Sequence, residues 1–126
     1  GRAIDVAAFT GLDVRGKAVL VHTGHAAHWG ADRYFEHHPF LTEAAAQFLA
    51  EQGAALVGID SYNIDDTDDG RRPVHTILLG HDIPIVEHMT RLEQLPNNGF
   101  RFYAVPVKVK GMGSFPVRAF ALTGSG

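Results

Sequence analysis

The chain has 126 residues, with 11 Lys and Arg against 14 Asp and Glu and a formal net charge of −3. That length fits one domain able to bury its own core, and the charge balance lacks the basic footprint of a nucleic-acid binder. The absence of cysteine excludes a disulfide scaffold, a thiolate metal site and a cysteine nucleophile. No apolar run approaches the roughly 18 residues of a membrane span, and no signal-peptide core opens the chain, so a cytoplasmic location is expected.

In chain order, Lys17 to His22 is a β-branched run between Gly16 and Thr23-Gly24, which predicts a buried strand. His25 to Phe40 has no clean period and reads as a long loop or broken helix, a kind of connection that often carries function. Thr42 is placed to cap a helix, Glu43 suits its first turn, and Ala44, Ala45, Phe48 and Leu49 recur at helical spacing before Gly53 stops it. Ala55 to Ile59 is a second apolar run. Strand, helix and strand make a βαβ unit with parallel strands. After the polar loop from Tyr62 to Arg72, Pro73 opens a short helix with Val74, Ile77 and Leu78 on one face and Gly80 at its end. Ile83 to Glu87 is a further buried run, with Pro84 near its start, where a strand tolerates it. Leu92 to Leu95 makes a turn of helix, and Asn97-Asn98-Gly99 is a turn. Phe100 to Val109 and Phe115 to Leu122 are two longer strands joined closely enough for an antiparallel hairpin. The expected architecture is α/β, a mixed sheet with βαβ units, in one domain over 1–126.

Histidine is the unusual residue: eight are present against the three lysines Lys17, Lys108 and Lys110. His75 and Glu87 are metal-ligand types at the edges of buried elements, and a carboxylate ending an apolar run must be paired, protonated, coordinated or turned to water. Residue type and position alone favour water for Glu87 and a helix surface for His75. His25 and His28, three apart, would share a helical face and could chelate, but a solvated His-rich loop, or a substrate-contacting one with Trp29 and Tyr34, accounts for the same residues. The acidic run Asp65 to Gly70 lacks the calcium-loop spacing and reads as a solvated turn. Asp60-Ser61 follows a strand where α/β sheets place ligand crevices, although a turn carboxylate is the commoner use. Gly111 to Ser114 is too loose for a phosphate loop, and no G-x-S-x-G supports a serine nucleophile.

Read as ordered strings, the sequence resembles the cyclase or kynurenine-formamidase-like family of metal-dependent hydrolases. The strings are Gly16 to Gly24, Tyr34 with His38-Pro39, Val57 to Ser61, Pro73 to Leu79, Ile83 to His88, Leu95-Pro96, Gly99 to Lys108 and Pro116 to Ala119. The resemblance implies a mixed α/β fold of the swivelling β/β/α type and hydrolysis of an amide or cyclic amide by a metal-activated water. It also implies a divalent metal, zinc or manganese, held in part by His75 and Glu87, which reverses the preference drawn from position alone. His28, Trp29 and Tyr34 are the candidate pocket lining.

The family's H-x-G-T-H-x-D-x-P-x-H string, which supplies most metal ligands and the catalytic histidine, does not occur in these 126 residues. No catalytic residue is therefore assigned. The expectation is a C-terminal portion of a cyclase-like domain, incomplete without an N-terminal portion, because His75 and Glu87 give two ligands where catalytic zinc takes three. Expected partners are a small-molecule amide and either further copies of the chain or the missing portion, with no nucleic acid and no membrane. A non-catalytic binding or oligomerisation module is the alternative, and metal buffering by the His25–His38 cluster is a third reading.

Overall fold

The computed structural model describes residues 1–106, 108 and 110–124. They form two compact units, Gly1–Leu92 and Glu93–Gly126. In chain order the first unit holds β1 (Ala3–Ile4), β2 (Ala18–Val21), β3 (Phe40–Leu41), α1 (Glu43–Glu51), β4 (Leu56–Ile59), α2 (Pro73–Gly80) and β5 (Ile85–Val86). The second holds β6 (Arg101–Pro106) and β7 (Val117–Leu122).

The predicted βαβ unit is present: β2 and β4 pair in parallel from Ala18↔Leu56 to Val21↔Ile59. β5 joins the other edge of β4, also in parallel, to give the order β2-β4-β5. Pro84 sits just ahead of β5 and uses its carbonyl rather than a missing N–H, accepting from the Val57 amide at 3.0 Å. The Thr42 hydroxyl caps α1, accepting from the Ala45 amide at 3.1 Å, and donates to Asp5 Oδ1 at 2.8 Å. Gly53 ends the helix region with φ +80°.

Burial follows the apolar pattern. Ala45, Ala46 and Leu49 of α1, Val74 and Leu78 of α2, and Val57 and Ile59 of β4 are fully buried in one cluster. Each large aliphatic side chain removed from water in this way contributes about 1.5–3 kcal/mol. The two helices pack on one another within it.

The expected mix of parallel and antiparallel strands is present, distributed over three small sheets. They are a three-stranded parallel sheet, the parallel pair β1-β3 and the antiparallel pair β6-β7. β1 and β3, with two residues each, are too short to leave a period in sequence. The predicted hairpin forms with Tyr103 opposite Phe120, their rings stacked at 4.9 Å, while Val107 and Val109 of the longer expected strand lie outside the described residues. Among the described residues no helix is long and apolar enough to cross a membrane.

Candidate functional site

A second parallel crossover, β4 to α2 to β5, delivers His75 and Glu87 to the same place. His75 is the third residue of α2, which Pro73 opens at a position where the missing N–H costs nothing. Asp65, from the preceding loop, closes that helix end: Oδ1 accepts from the Val74 amide at 2.8 Å and Oδ2 from the His75 amide at 2.9 Å. The same Oδ2 lies 2.7 Å from His75 Nδ1. One carboxylate thus caps the helix and fixes the ring. Because Nδ1 donates to Asp65, Nε2 faces Glu87, 3.3 Å from Oε1. Glu87 is anchored on its other side, where Oε2 accepts from the Ile64 amide at 2.8 Å.

The electrostatics follow from these contacts. The Glu87 hydrogen bond raises the His75 pKa; burial opposes it, and Asp65 adds to the rise. Burial pushes the Glu87 carboxyl up, but the hydrogen bonds from His75 and the Ile64 amide outweigh it and hold the group below its ordinary value. A neutral imidazole nitrogen and a carboxylate oxygen are the donor types that zinc and manganese take, with the carboxylate behind Nδ1 setting the tautomer. The pair fits two coordination positions. It does not make a complete site: among the described residues no group of three His, Asp or Glu side chains is placed to hold a metal ion.

An aromatic cluster adjoins the pair. Tyr34 is 1% exposed, and its ring stacks on His25 at 5.2 Å and meets Trp29 edge-on at 5.1 Å. Its hydroxyl donates to His88 Nδ1 at 3.0 Å, next in chain to Glu87. Burial first, then the charges of Asp60 and Glu87, push the Tyr34 phenol up to about 12, so the hydroxyl keeps its proton. Trp29 is 61% exposed and also touches the His88 ring, at 6.0 Å.

Of the sequence-predicted pocket residues, Tyr34 and Trp29 share this cluster. His28 instead lines a cavity of about 230 Å³ with His25, Arg33, Glu36 and His37. His25 and His28 lie on a single 3-10 turn, His25–His28, rather than an α-helix. His25 is committed elsewhere, donating from Nε2 to the Tyr34 carbonyl at 2.7 Å. His38 is buried between the Pro39 carbonyl and the Thr67 hydroxyl. Asp60 is a turn carboxylate, as the commoner use of that position suggests: it accepts from the Thr23 amide, the Thr23 hydroxyl and the Gly24 amide at 2.7–2.9 Å.

Two residues escaped the sequence reading. The sequence reads Asp65 as part of a solvated turn, but the structure buries it, because it satisfies the first amides of α2. An ordinary N-cap stands immediately before the first helical residue, the place Arg72 takes here, so Asp65, well ahead of Pro73 in sequence, gave no local capping signal. His88 carried no signal beyond its type.

A sequence model of the cyclase family matches residues 4–66, half of the chain. The kynurenine formamidase of Bacillus cytotoxicus is 30% identical over 94 residues, covering 75% of this chain and 44% of that protein. A solved structure described as a potential metal-dependent hydrolase with cyclase activity superposes with a TM-score of 0.82 at 28% identity, covering 94% of this chain and 57% of that one. An isatin hydrolase bound to a product analogue, at 20% identity and a TM-score of 0.78 over 98% of this chain and 59% of its own, shares the fold. The chain spans about half the length of the curated relatives it matches. With that match and the mixed α/β fold, the chain belongs to the cyclase family.

Proposed function

We propose that this chain carries part of the active site of a metal-dependent hydrolase that cleaves an amide or cyclic amide. The observation behind this is the approach of His75 Nε2 to Glu87 Oε1 at 3.3 Å with Asp65 behind the ring. A divalent cation, zinc or manganese, supplies Lewis acidity to the scissile carbonyl and to the attacking water when bound. His75 offers Nε2 to it, Asp65 holds the imidazole in the tautomer that leaves Nε2 free, and Glu87 offers Oε1 while the Ile64 amide fixes its other oxygen. The remaining ligands come from residues outside this set, in a longer polypeptide or an associated chain. Trp29 and His28, with Tyr34 beneath Trp29, would form the wall against which the substrate rests. The exposed apolar side chains of the hairpin, Tyr103, Val105, Phe120 and Leu122, favour association with further copies or with the completing portion.

The name of the Bacillus cytotoxicus relative makes an aryl formamide the first substrate to assay. Zinc and manganese binding by calorimetry, with that assay in parallel, should be compared between the unaltered protein and Glu87→Gln. The substitution keeps the acceptor for Ile64 but removes the anionic ligand, so affinity should fall by at least about tenfold. Unchanged metal content and activity would favour the second reading, a non-catalytic small-molecule-binding or oligomerisation module. The observation on its side is that, among the described residues, no group of three metal-type side chains converges.

A further inference from the structure

We propose that His88 is a positioning residue for Glu87, held in place by the Tyr34 hydroxyl. The inference rests on the reading of Glu87 as a ligand for its functional meaning, but its physical content concerns only this chain.

β5 ends at Val86, and Glu87 is the next residue. The chain then turns at His88 with φ +59°, in the left-handed region that a side chain with a Cβ rarely adopts. Such a conformation persists only where the surroundings over-determine it, and it concentrates at functional positions. Three hydrogen bonds hold this one. The His88 amide donates to the Ser61 carbonyl at 3.0 Å, the Met89 amide donates to the Ile59 carbonyl at 3.2 Å, and the Tyr34 hydroxyl donates to His88 Nδ1 at 3.0 Å.

The two backbone bonds are open to any residue at this position, and glycine would make them without strain. Of the three hydrogen bonds only the third requires a side chain, whose ring also meets those of Trp29 and Tyr62. Its donor is a fixed point: Tyr34 is buried, stacked by His25, met edge-on by Trp29, and its carbonyl receives His25 Nε2 at 2.7 Å. His88 therefore ties the Glu87 peptide to the segment carrying Trp29. Glu87 must span from that backbone to two targets at once, the Ile64 amide at 2.8 Å and His75 Nε2 at 3.3 Å. A side chain with three rotatable bonds holds both only if its own Cα is held.

Amide hydrogen exchange at Ile64 reads the Glu87 carboxylate without any metal. Tyr34→Phe, which keeps the ring, and His88→Gly, which relieves the left-handed residue, should each speed Ile64 exchange about fivefold or more after correction for global stability measured in urea. The Ala45 amide, capped by Thr42, should not change in either. His88→Asn should retain the protection, because its Oδ1 sits one bond beyond Cγ, where the imidazole Nδ1 sits, and asparagine tolerates the left-handed conformation. Equal Ile64 protection in Tyr34→Phe and His88→Gly would overturn the proposal, as would His88→Asn behaving like His88→Gly. Zinc titration of the unaltered protein and Glu87→Gln judges the ligand reading separately. Zinc affinity lost in Glu87→Gln beside an unresponsive Ile64 sinks the positioning role alone, whereas a responsive Ile64 in a protein that binds no zinc upholds that role and removes the ligand reading.

Discussion

Asp65 and His75 meet through one carboxylate oxygen, which accepts both the His75 backbone amide at 2.9 Å and its imidazole Nδ1 at 2.7 Å. Helix capping and ring orientation are therefore the same interaction. The sheet brings Glu87 to the opposite nitrogen of that ring. A histidine at the start of a helix becomes a directed donor because the group that satisfies the helix end is also the group that sets its tautomer.

Removing that carboxylate should cost both functions together. Asp65→Ala leaves the Val74 and His75 amides without their acceptor in a buried setting. It should lower stability by about 2–4 kcal/mol, combining a lost cap with the unsatisfied donors. Asp65→Asn, which keeps one acceptor oxygen, should lose less. Urea denaturation of the two variants checks the order, and a loss below about 0.5 kcal/mol in Asp65→Ala, the level of an ordinary surface change, would contradict it.

Asp60 should anchor the segment that carries the aromatic cluster. It joins the end of β4 to Thr23 and Gly24, just past the end of β2, and Gly24 with φ +86° leads into the turn at His25. Asp60→Ala removes the acceptor for two backbone amides and a hydroxyl, and should destabilise by about 1–3 kcal/mol or more. Limited proteolysis should then open cleavage between residues 24 and 35 before the core around Leu49 is lost. Cleavage spread evenly over the chain would count against a local anchor.

The Tyr34 phenol gives a pH dependence of known sign. An unfolded tyrosine ionises near pH 10, whereas burial, with Asp60 and Glu87 nearby, holds the folded group up to about 12. Between those values the unfolded chain has released a proton that the folded chain keeps. The Tyr34 contribution to stability is therefore complete below pH 10 and is lost as pH rises toward 12. The urea midpoint of the unaltered protein should fall more steeply across that window than that of Tyr34→Phe. Parallel slopes would show that this phenol is not the group responsible.

Gly58, in the middle of β4, should resist even one added methyl group. A Cβ there would lie 2.6 Å from Met89 Sδ and 2.9 Å from Leu20 Cδ2. Gly58→Ala should cost about 1–3 kcal/mol through overpacking, measured as a shift in urea midpoint. A neutral or stabilising result would mean that Met89 and Leu20 move aside without loss.

The sequence alone determined the local elements and their partners in kind. The Thr42 cap, the Gly53 stop, the Pro73 helix start and the βαβ order are written in residue types whose backbone preferences act over a few positions, and the structure carries each of them. The hairpin between β6 and β7 was legible for the same reason. His75 and Glu87 were legible as a pair only through the resemblance of ordered strings, since position alone pointed both toward solvent.

Tertiary structure decided the rest. Whether a carboxylate in an acidic loop is solvated or buried depends on which helix end lies opposite it, so Asp65 could not be separated from Asp66, Asp68 and Asp69 by composition. The bond between Tyr34 and His88 spans 54 positions, and nothing within either local string encodes it. Strand register and loop closure brought these groups within hydrogen-bond distance, and only that approach turned a surplus of histidines into one directed pair beside an aromatic cluster.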